Sequence, residues 1–406
     1  MLESQIEEVL NYQLSYIEKL PTGTPREVTA NVKLSDTHVK ILTGIRRCGK
    51  STSMLQIARR FPKFNYMSFE DPRLSIFEVN DFFKLEKIFE RRGMSDLFFF
   101  DEIQNVEGWE SYVRVLQDKK QRDIVSGSNA RMLSKELGTS LTGRQISYEV
   151  YPFSYREYLA HMHQDAGTES FSDYFYLCWL PEFLNTKNRD ALLNLYNDLI
   201  YRDIVVRQGL RNPKTVRELG VFFASNTGKE FSYNKLANTF ELGSVNTLAS
   251  YISYFEDAYL FFNVPSFSYS LKQQAKNPKK IYGIDTGLVS MLSMSFSKDL
   301  GRLLENLVFI HLKRLGKEIY YFRQKGECDF IAKKNNKVEM AIQICYHLND
   351  DNMHREVNGL SEAMNEFELS KGFIFTFNQK DTLEKEGKKI YLLPVWEWMN
   401  NEMQQI

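Results

Sequence analysis

Short apolar runs alternate with longer amphipathic stretches through the first 160 or so residues. Residues 39–44 (VKILTG) and 97–100 (LFFF), and Ile124-Val125 within QRDIVSGSNA, have the near-continuous apolar character of strands covered on both faces of a parallel sheet. Between them, SMLQIARRF (53–61) has the spacing of a helix. Leu2, Ile6, Val9, Leu10, Ile17 and Leu20 recur at helical spacing with charges between them, which predicts an N-terminal amphipathic helix. Residues 165–212 carry Tyr, Leu and Asn at helical spacing, and 189–210 read as one amphipathic helix. Its Arg202-Asp203 pair either closes over a ligand or packs the helical layer. Three more helices follow, over KTVRELGVFFASNTG, SYNKLANTF and SVNTLASYISYFEDAYL, with Ser232 and either Ser244 or Asn246 as N-caps. LFFNVPSFS then opens a hairpin, so residues 213–275 read as a winged helix. From residue 276 the pattern changes to strands (EIYYFRQ, ECDFIAKK, KVEMAIQICYHL) around the helix GRLLENLVFIHLKRLG, with turns at Gly326 and Asn335-Asn336. PVWEWM reads as a buried terminal strand and the start of a helix.

A chain of 406 residues is too long for one core, and two to four domains are expected. Lysine plus arginine balance aspartate plus glutamate at 52 each, so any nucleic-acid surface must be a local patch. The four cysteines form no CxxC pair and histidines number only six, which argues against a zinc site or a disulfide framework. The N-terminal helix is not a signal peptide, and no apolar run reaches the roughly 20 residues that span a bilayer. The expectation is a cytoplasmic protein with no membrane partner.

The candidate chemistry begins at KILTGIRRCGKSTSML (40–55). Glycine, four residues, glycine, lysine, serine between a strand and a helix is the pattern of a phosphate-binding P-loop. Gly44 and Gly49 let the backbone bend so that N–H groups face an anion, and the helix N-terminus faces the same anion. The stretch Gly44, Ile45, Arg46, Arg47, Cys48, Gly49, Lys50, Ser51 and Thr52 is therefore the candidate nucleotide cradle. Lys50 would place its charge at the β- and γ-phosphates, and the Ser51 hydroxyl would ligate Mg²⁺. Chance produces such a match in a chain this long on the order of one or two times in a hundred.

DLFFFDEIQNVEGWE (96–110) supplies the complementary acids. Asp101 stands at the C-terminal edge of a buried strand, where open α/β sheets bind ligands, and is the second candidate for Mg²⁺. Glu102 is the candidate general base for the attacking water. At the end of the next strand, Asn129 or Ser128 is a candidate γ-phosphate sensor, with a plain turn as the alternative. Arg144, after a glycine, either reaches a phosphate from its own subunit or a neighbour's, or forms a surface ion pair. No guanine-reading NKxD motif is present, so ATP is the expected nucleotide.

Together, GIRRCGKST, FEDPRL, FFFDEIQNVEGWE, SGSN, LTGR and YPFSYREYL resemble the AAA-type ATPases common in bacteria and archaea. The segments LYNDLIYRDIVVR, KKIYGIDTGL, GRLLENLVFIHLKR, ECDFI and IQICY extend the resemblance over nearly the whole chain. It implies an ATP-binding core of the AAA/STAND kind, a winged helix and a C-terminal PD-(D/E)xK nuclease-like α/β fold. The expected organisation is a helix over 1–30, a P-loop core over 31–160, a helical lid or linker over 161–212, a winged helix over 213–275 and the nuclease-like domain over 276–406. Asp329 fits the strand-end acid of that domain and Glu305 the supporting acid on the preceding helix. Gln343 and Cys345 stand where the pattern asks for Glu and Lys, and neither Lys333 nor Lys337 is placed by the sequence to compensate. The fold is expected to be kept and its nuclease activity lost.

The predicted activity is Mg²⁺-dependent ATP hydrolysis coupled to a C-terminal DNA- or protein-binding module. The alternatives are a slow nucleotide-gated switch for a protein partner and an ATP-regulated nuclease. The third helix of the winged-helix segment offers Asn246, Thr247, Ser250 and Ser253 but no Lys or Arg on its polar face. Its expected wing, YSLKQQAKNPKK, offers Lys272, Lys276, Lys279 and Lys280 to double-stranded DNA phosphates.

Overall fold

Apolar strands of a parallel sheet need cover on both faces, and in this chain local helices supply it. The computed structural model describes residues 1–34, 38–128, 144–294 and 299–401. They fall into two units, Met1–Pro152 and Phe153–Ile406. In the first, β1 (Val39–Thr43), β2 (Asn65–Ser68), β3 (Leu97–Asp101), β4 (Arg122–Gly127) and β5 (Gln145–Glu149) form one sheet in the order β2-β3-β4-β1-β5. Every pairing is parallel. β1 and β3 are buried along their whole length, as their unbroken apolar runs require.

Alternate residues of a strand share a face. Val39 and Ile41 of β1 join Phe98 and Phe100 of β3 in one core cluster with three helices. The helix Glu3–Lys19 contributes Ile6, Val9 and Leu10, Asp81–Arg91 contributes Phe82 and Leu85, and Trp109–Asp118 contributes Tyr112 and Leu116. Phe82 stacks on Tyr112 with centroids 4.4 Å apart and meets Phe100 edge-on at 5.7 Å. Each such buried side chain contributes about 1.5–3 kcal/mol of transfer free energy. Leu2, read as part of the N-terminal apolar stripe, is the exposed N-cap of its helix.

The second unit opens with helices Tyr155–Met162, Thr168–Tyr176, Pro181–Thr186 and Arg189–Asp198, the last running into a π-helical segment, Leu199–Val206. Within it Asp203 is buried against Arg207 at 3.6 Å. Next come the helix Pro213–Ser225, β6 (Glu230–Phe231), the helices Tyr233–Thr239 and Val245–Asp257, β7 (Phe261–Pro265) and β8 (Lys279–Gly283). The three strands form an antiparallel sheet, β6-β8-β7. This sheet runs to Gly283, past the expected boundary at 275, and its connection folds into the short helix Leu271–Lys276.

The expected basic wing is corrected by this arrangement. Lys279 and Lys280 are buried, because they belong to the middle strand of the sheet, while Lys272 and Lys276 on the short helix are exposed. Beyond the helix Leu300–Arg314, six strands assemble: β9 (Glu318–Arg323), β10 (Glu327–Lys334), β11 (Lys337–Ile344), β12 (Lys371–Thr376), β13 (Asp381–Lys385) and β14 (Lys388–Pro394). Their order is β13-β14-β12-β11-β10-β9. The helix Asp350–Glu366 packs Leu360, Ala363 and Met364 into one cluster with Ile331, Ala341 and Ile374 of the sheet. Among the described residues no helix is long and apolar enough to cross a membrane.

Candidate functional site

The loop after β1 is held open by backbone contacts that only glycine permits. A Cβ on Gly44 would lie 2.1 Å from the carbonyl oxygen of Val150, and the Val150 N–H donates back to the Thr43 carbonyl at 2.6 Å. Gly49 caps the helix Lys50–Ala58 with φ 96°, and Arg47 is also left-handed at φ 65°. Backbone of this kind turns successive N–H groups toward one concavity. Lys50, the first helical residue, is buried; its Nζ donates to the carbonyls of Gly44 (3.2 Å) and Ile45 (3.3 Å). Ser51 and Thr52 are exposed at the helix start. Arg26 reaches in from the N-terminal segment, and its guanidinium donates to the carbonyls of Cys48 (2.6 Å) and Tyr151 (2.5 Å). It thereby ties the loop to the chain leaving β5. Burial raises the pKa of the Cys48 thiol, against the pull of Lys50 and Arg26.

The sheet order brings the acids to this loop. β4 lies between β1 and β3, and its Ser126 is in register with Leu42 of β1. The Ser126 hydroxyl donates to Asp101 Oδ1 and accepts the Glu102 N–H at 3.1 Å. Tyr66 Oη donates to Asp101 Oδ2 at 3.5 Å. Burial raises the Asp101 pKa, and the Glu102 charge adds to it; hydrogen bonds from Ser126 and Ser51 and the Lys50 charge oppose the rise. Glu102 takes a left-handed backbone, φ 50°. Its Oε1 stands 3.7 Å from Lys50 Nζ, and its Oε2 accepts from Gln104 Nε2.

The structure places Lys50, Asp101 and Glu102 at one sheet edge, with Ser51 next to Lys50 at the helix start. Ser126, Gln104, Tyr66 and Arg26 join them without having been singled out. Only Ser126 carried a signal, its place at the end of a strand. Asn129 lies outside the described residues. Ser128 is buried, and its hydroxyl has no partner among the described residues. Arg144 is exposed just before β5, and its carbonyl accepts the Val39 N–H at 3.0 Å. A glycine-built cradle, a lysine at its floor, the Ser51 hydroxyl at the helix start and the Asp101 carboxylate at the end of β3 make a hard-oxygen donor set suited to a nucleotide phosphate with Mg²⁺.

The second unit gathers a different cluster. Asp329 and Glu305 come together around Lys280, one of the four lysines of the expected wing. Lys280 Nζ is 3.0 Å from Glu305 Oε1 and 3.3 Å from Asp329 Oδ1. Lys333 pairs instead with Glu318 at 3.3 Å, Lys337 is exposed, and the Cys345 thiol donates to the His347 carbonyl at 3.0 Å. Burial, then the Glu305 charge, push the Asp329 pKa up to about 8, with Lys280 opposing.

Comparison with known proteins places the chain among relatives. A family model described as an AAA domain matches residues 36–159, and one described as a domain of unknown function matches residues 168–299. An uncharacterized protein of Methanocaldococcus jannaschii is 33% identical over 402 residues, covering 90% of this chain and 89% of its own. One from Haemophilus influenzae is 27% identical over 392 residues, covering 90% and 96%. Among solved structures, the replication initiator DnaA bound to AMPPCP and single-stranded DNA is 14% identical with a TM-score of 0.31, over 59% of this chain and 91% of that one. A Pyrococcus horikoshii STAND protein with a tetratricopeptide repeat sensor is 13% identical with a TM-score of 0.24, over 73% and 47%.

Proposed function

We propose that this chain, which belongs to one family with its M. jannaschii relative and carries an AAA domain over residues 36–159, hydrolyses ATP and uses its nucleotide state to govern a C-terminal binding module. The observation that carries this reading is the meeting of Lys50, Ser51, Asp101, Glu102 and Ser126 at one edge of one parallel sheet. The backbone from Gly44 to Thr52 holds the phosphates, and Lys50 neutralises them. Ser51 and Asp101 would hold Mg²⁺, which when bound screens phosphate charge as bonds rearrange. Ser126 keeps the Asp101 carboxylate and the Glu102 backbone in place. Glu102 takes the proton of the attacking water at its carboxylate, with Gln104 holding one oxygen and Lys50 near the other. Arg144, from its own subunit or a neighbour, and Asn129 or Ser128 are proposed to complete the site at the γ-phosphate.

The order helix, strand, two helices, strand, short helix, strand over residues 213–283 supports a winged helix, and the six-stranded sheet beyond it supports a nuclease-like fold. Burial of Lys279 and Lys280 removes half of the expected phosphate-contacting lysines. That favours a second reading alongside a DNA-stimulated ATPase, namely a slow nucleotide-gated switch for a protein partner. Steady-state ATP turnover, with and without double-stranded DNA, decides between them. Glu102→Gln is expected to bind ATP and lose at least about a hundredfold in turnover. Undiminished turnover in that variant removes Glu102 as the base, and turnover indifferent to DNA selects the switch.

A further inference from the structure

The second unit holds a cleft of about 520 Å³ whose floor is a lysine among carboxylates. Lys280 enters from β8; Glu305 comes from the helix Leu300–Arg314, and Glu327 and Asp329 from β10. An ammonium has three protons to donate. It donates to Glu305 Oε1 at 3.0 Å and Asp329 Oδ1 at 3.3 Å, and Glu327 Oε1 forms an ion pair with it at 2.8 Å. The other groups are also engaged from within the protein. Tyr282 Oη donates to Glu305 Oε1 at 2.5 Å, and the Ile344 N–H to Asp329 Oδ2 at 2.9 Å. Gln343 has neither amide end free: Oε1 accepts the Asp329 N–H at 3.2 Å and Nε2 donates to Glu356 Oε2 at 2.5 Å.

The nuclease-like fold implies a divalent metal between such acids, and this donor set does not fit one. Metal ligation asks for carboxylate oxygens turned toward a common point and free of other cations. Here that point is taken by a covalently tethered ammonium, buried at 3% exposure although the cleft itself is open. Gln343, which replaces the second acid, turns its oxygen onto the backbone. No group of three or more His, Cys, Asp or Glu among the described residues is arranged to hold a metal.

We infer that Lys280 is the resident cation of this cleft, held between Glu305, Glu327 and Asp329 where a divalent metal would otherwise sit. While β8 keeps it there, the cleft binds no catalytic metal and cuts no phosphodiester. The same ion-pair cluster fastens the β6-β8-β7 sheet to β10. The missing lysine at position 345 is thus matched by a lysine from another strand, but one that neutralises the acids instead of assisting a metal.

The test is Mn²⁺ binding to the full chain, followed by electron paramagnetic resonance without nucleotide. A Ser51→Ala/Asp101→Asn background removes the metal ligands of the first unit. The expected result is no stoichiometric Mn²⁺ in that background. Adding Lys280→Met is expected to create one site per chain, on the order of tenfold or more tighter than background, and Asp329→Asn to abolish it again. One Mn²⁺ bound in the background chain and lost with Asp329→Asn overturns the inference. So does a folded Lys280→Met chain that binds no more than background, or Asp329-dependent cleavage of DNA by a chain that keeps Lys280. Should Lys280→Met not fold, the background titration and the cleavage assay decide alone. None of these outcomes depends on ATP turnover.

Discussion

His311 shows how one buried residue writes a pH dependence into the second unit. It sits in the helix Leu300–Arg314 with its ring edge-on to Trp398, centroids 4.5 Å apart. Its Nδ1 has no partner among the described residues. Burial drives its pKa down to about 3, and the charges of Arg314 and Arg156 push the same way. In the unfolded chain the imidazole titrates near 6.5. Between those values the unfolded state binds a proton that the folded state refuses. Stability from this residue is therefore intact above about pH 6.5 and is lost as pH falls toward the folded value. His311→Phe keeps a ring and removes the titration. Denaturant unfolding at pH 7, 6 and 5 is expected to show an acid-side slope shallower by about one proton, roughly 1.4 kcal/mol per pH unit. An unchanged slope would mean that the imidazole binds its proton in the folded chain as readily as in the unfolded one.

At the scale of elements, what decides the nucleotide site is how closely one strand exit passes another. β5 leaves the sheet with the Val150 carbonyl pressed on the backbone of Gly44. A methyl there has no flexible neighbour to displace, so β1 and the β5 exit must separate. Gly44→Ala is expected to destabilise the first unit by about 1–3 kcal/mol. Because the same movement pulls on the loop that Arg26 ties to Tyr151, nucleotide binding is expected to weaken at least tenfold. Gly167→Ala is the matched control: its backbone is extended at φ 177° and a Cβ there meets nothing within 4 Å. It should stay within about 0.5 kcal/mol of the parent. Thermal unfolding and binding of a non-hydrolysable ATP analogue check both variants. Helix ends rest on their own side-chain caps, which can also reach distant backbone. Ser154 and Glu157 form a reciprocal cap on Tyr155–Met162, and Asp285 caps Thr286–Leu292 while also accepting the Trp179 N–H.

For the whole molecule, zero net charge removes any long-range pull toward nucleic acid, so DNA retention rests on exposed local cations. Of the four lysines in the expected wing, only Lys272 and Lys276 are exposed. Two phosphate contacts give a salt slope of about −2 in log K against log salt. DNA retention measured at several salt concentrations is expected to show a slope no steeper than that. Lys272→Glu with Lys276→Glu is expected to flatten it. A steeper slope that survives the double substitution would place the contact on another surface.

The sequence by itself determined the most strongly patterned elements and the P-loop, because both are local. Apolar runs and period-3.6 patterns name strands and helices, and the cradle is built from nine consecutive residues whose glycines shape the backbone and whose lysine brings its side-chain charge at a fixed spacing. Asp101 and Glu102 were legible for the same reason, as the polar end of an apolar strand. Tertiary structure alone decided the partners. Ser126 became the bond that joins the Asp101 carboxylate to the Glu102 backbone because β4 lies between β1 and β3, an order that no local pattern encodes. Arg26 reached Cys48 and Tyr151 across sequence gaps of 22 and 125 residues. Lys280 read as a wing cation because its neighbours in sequence are lysine and polar residues. Placing it in a middle strand turned its side chain inward, onto acids 25, 47 and 49 positions away, where desolvation makes a paired charge tolerable and an unpaired one costly.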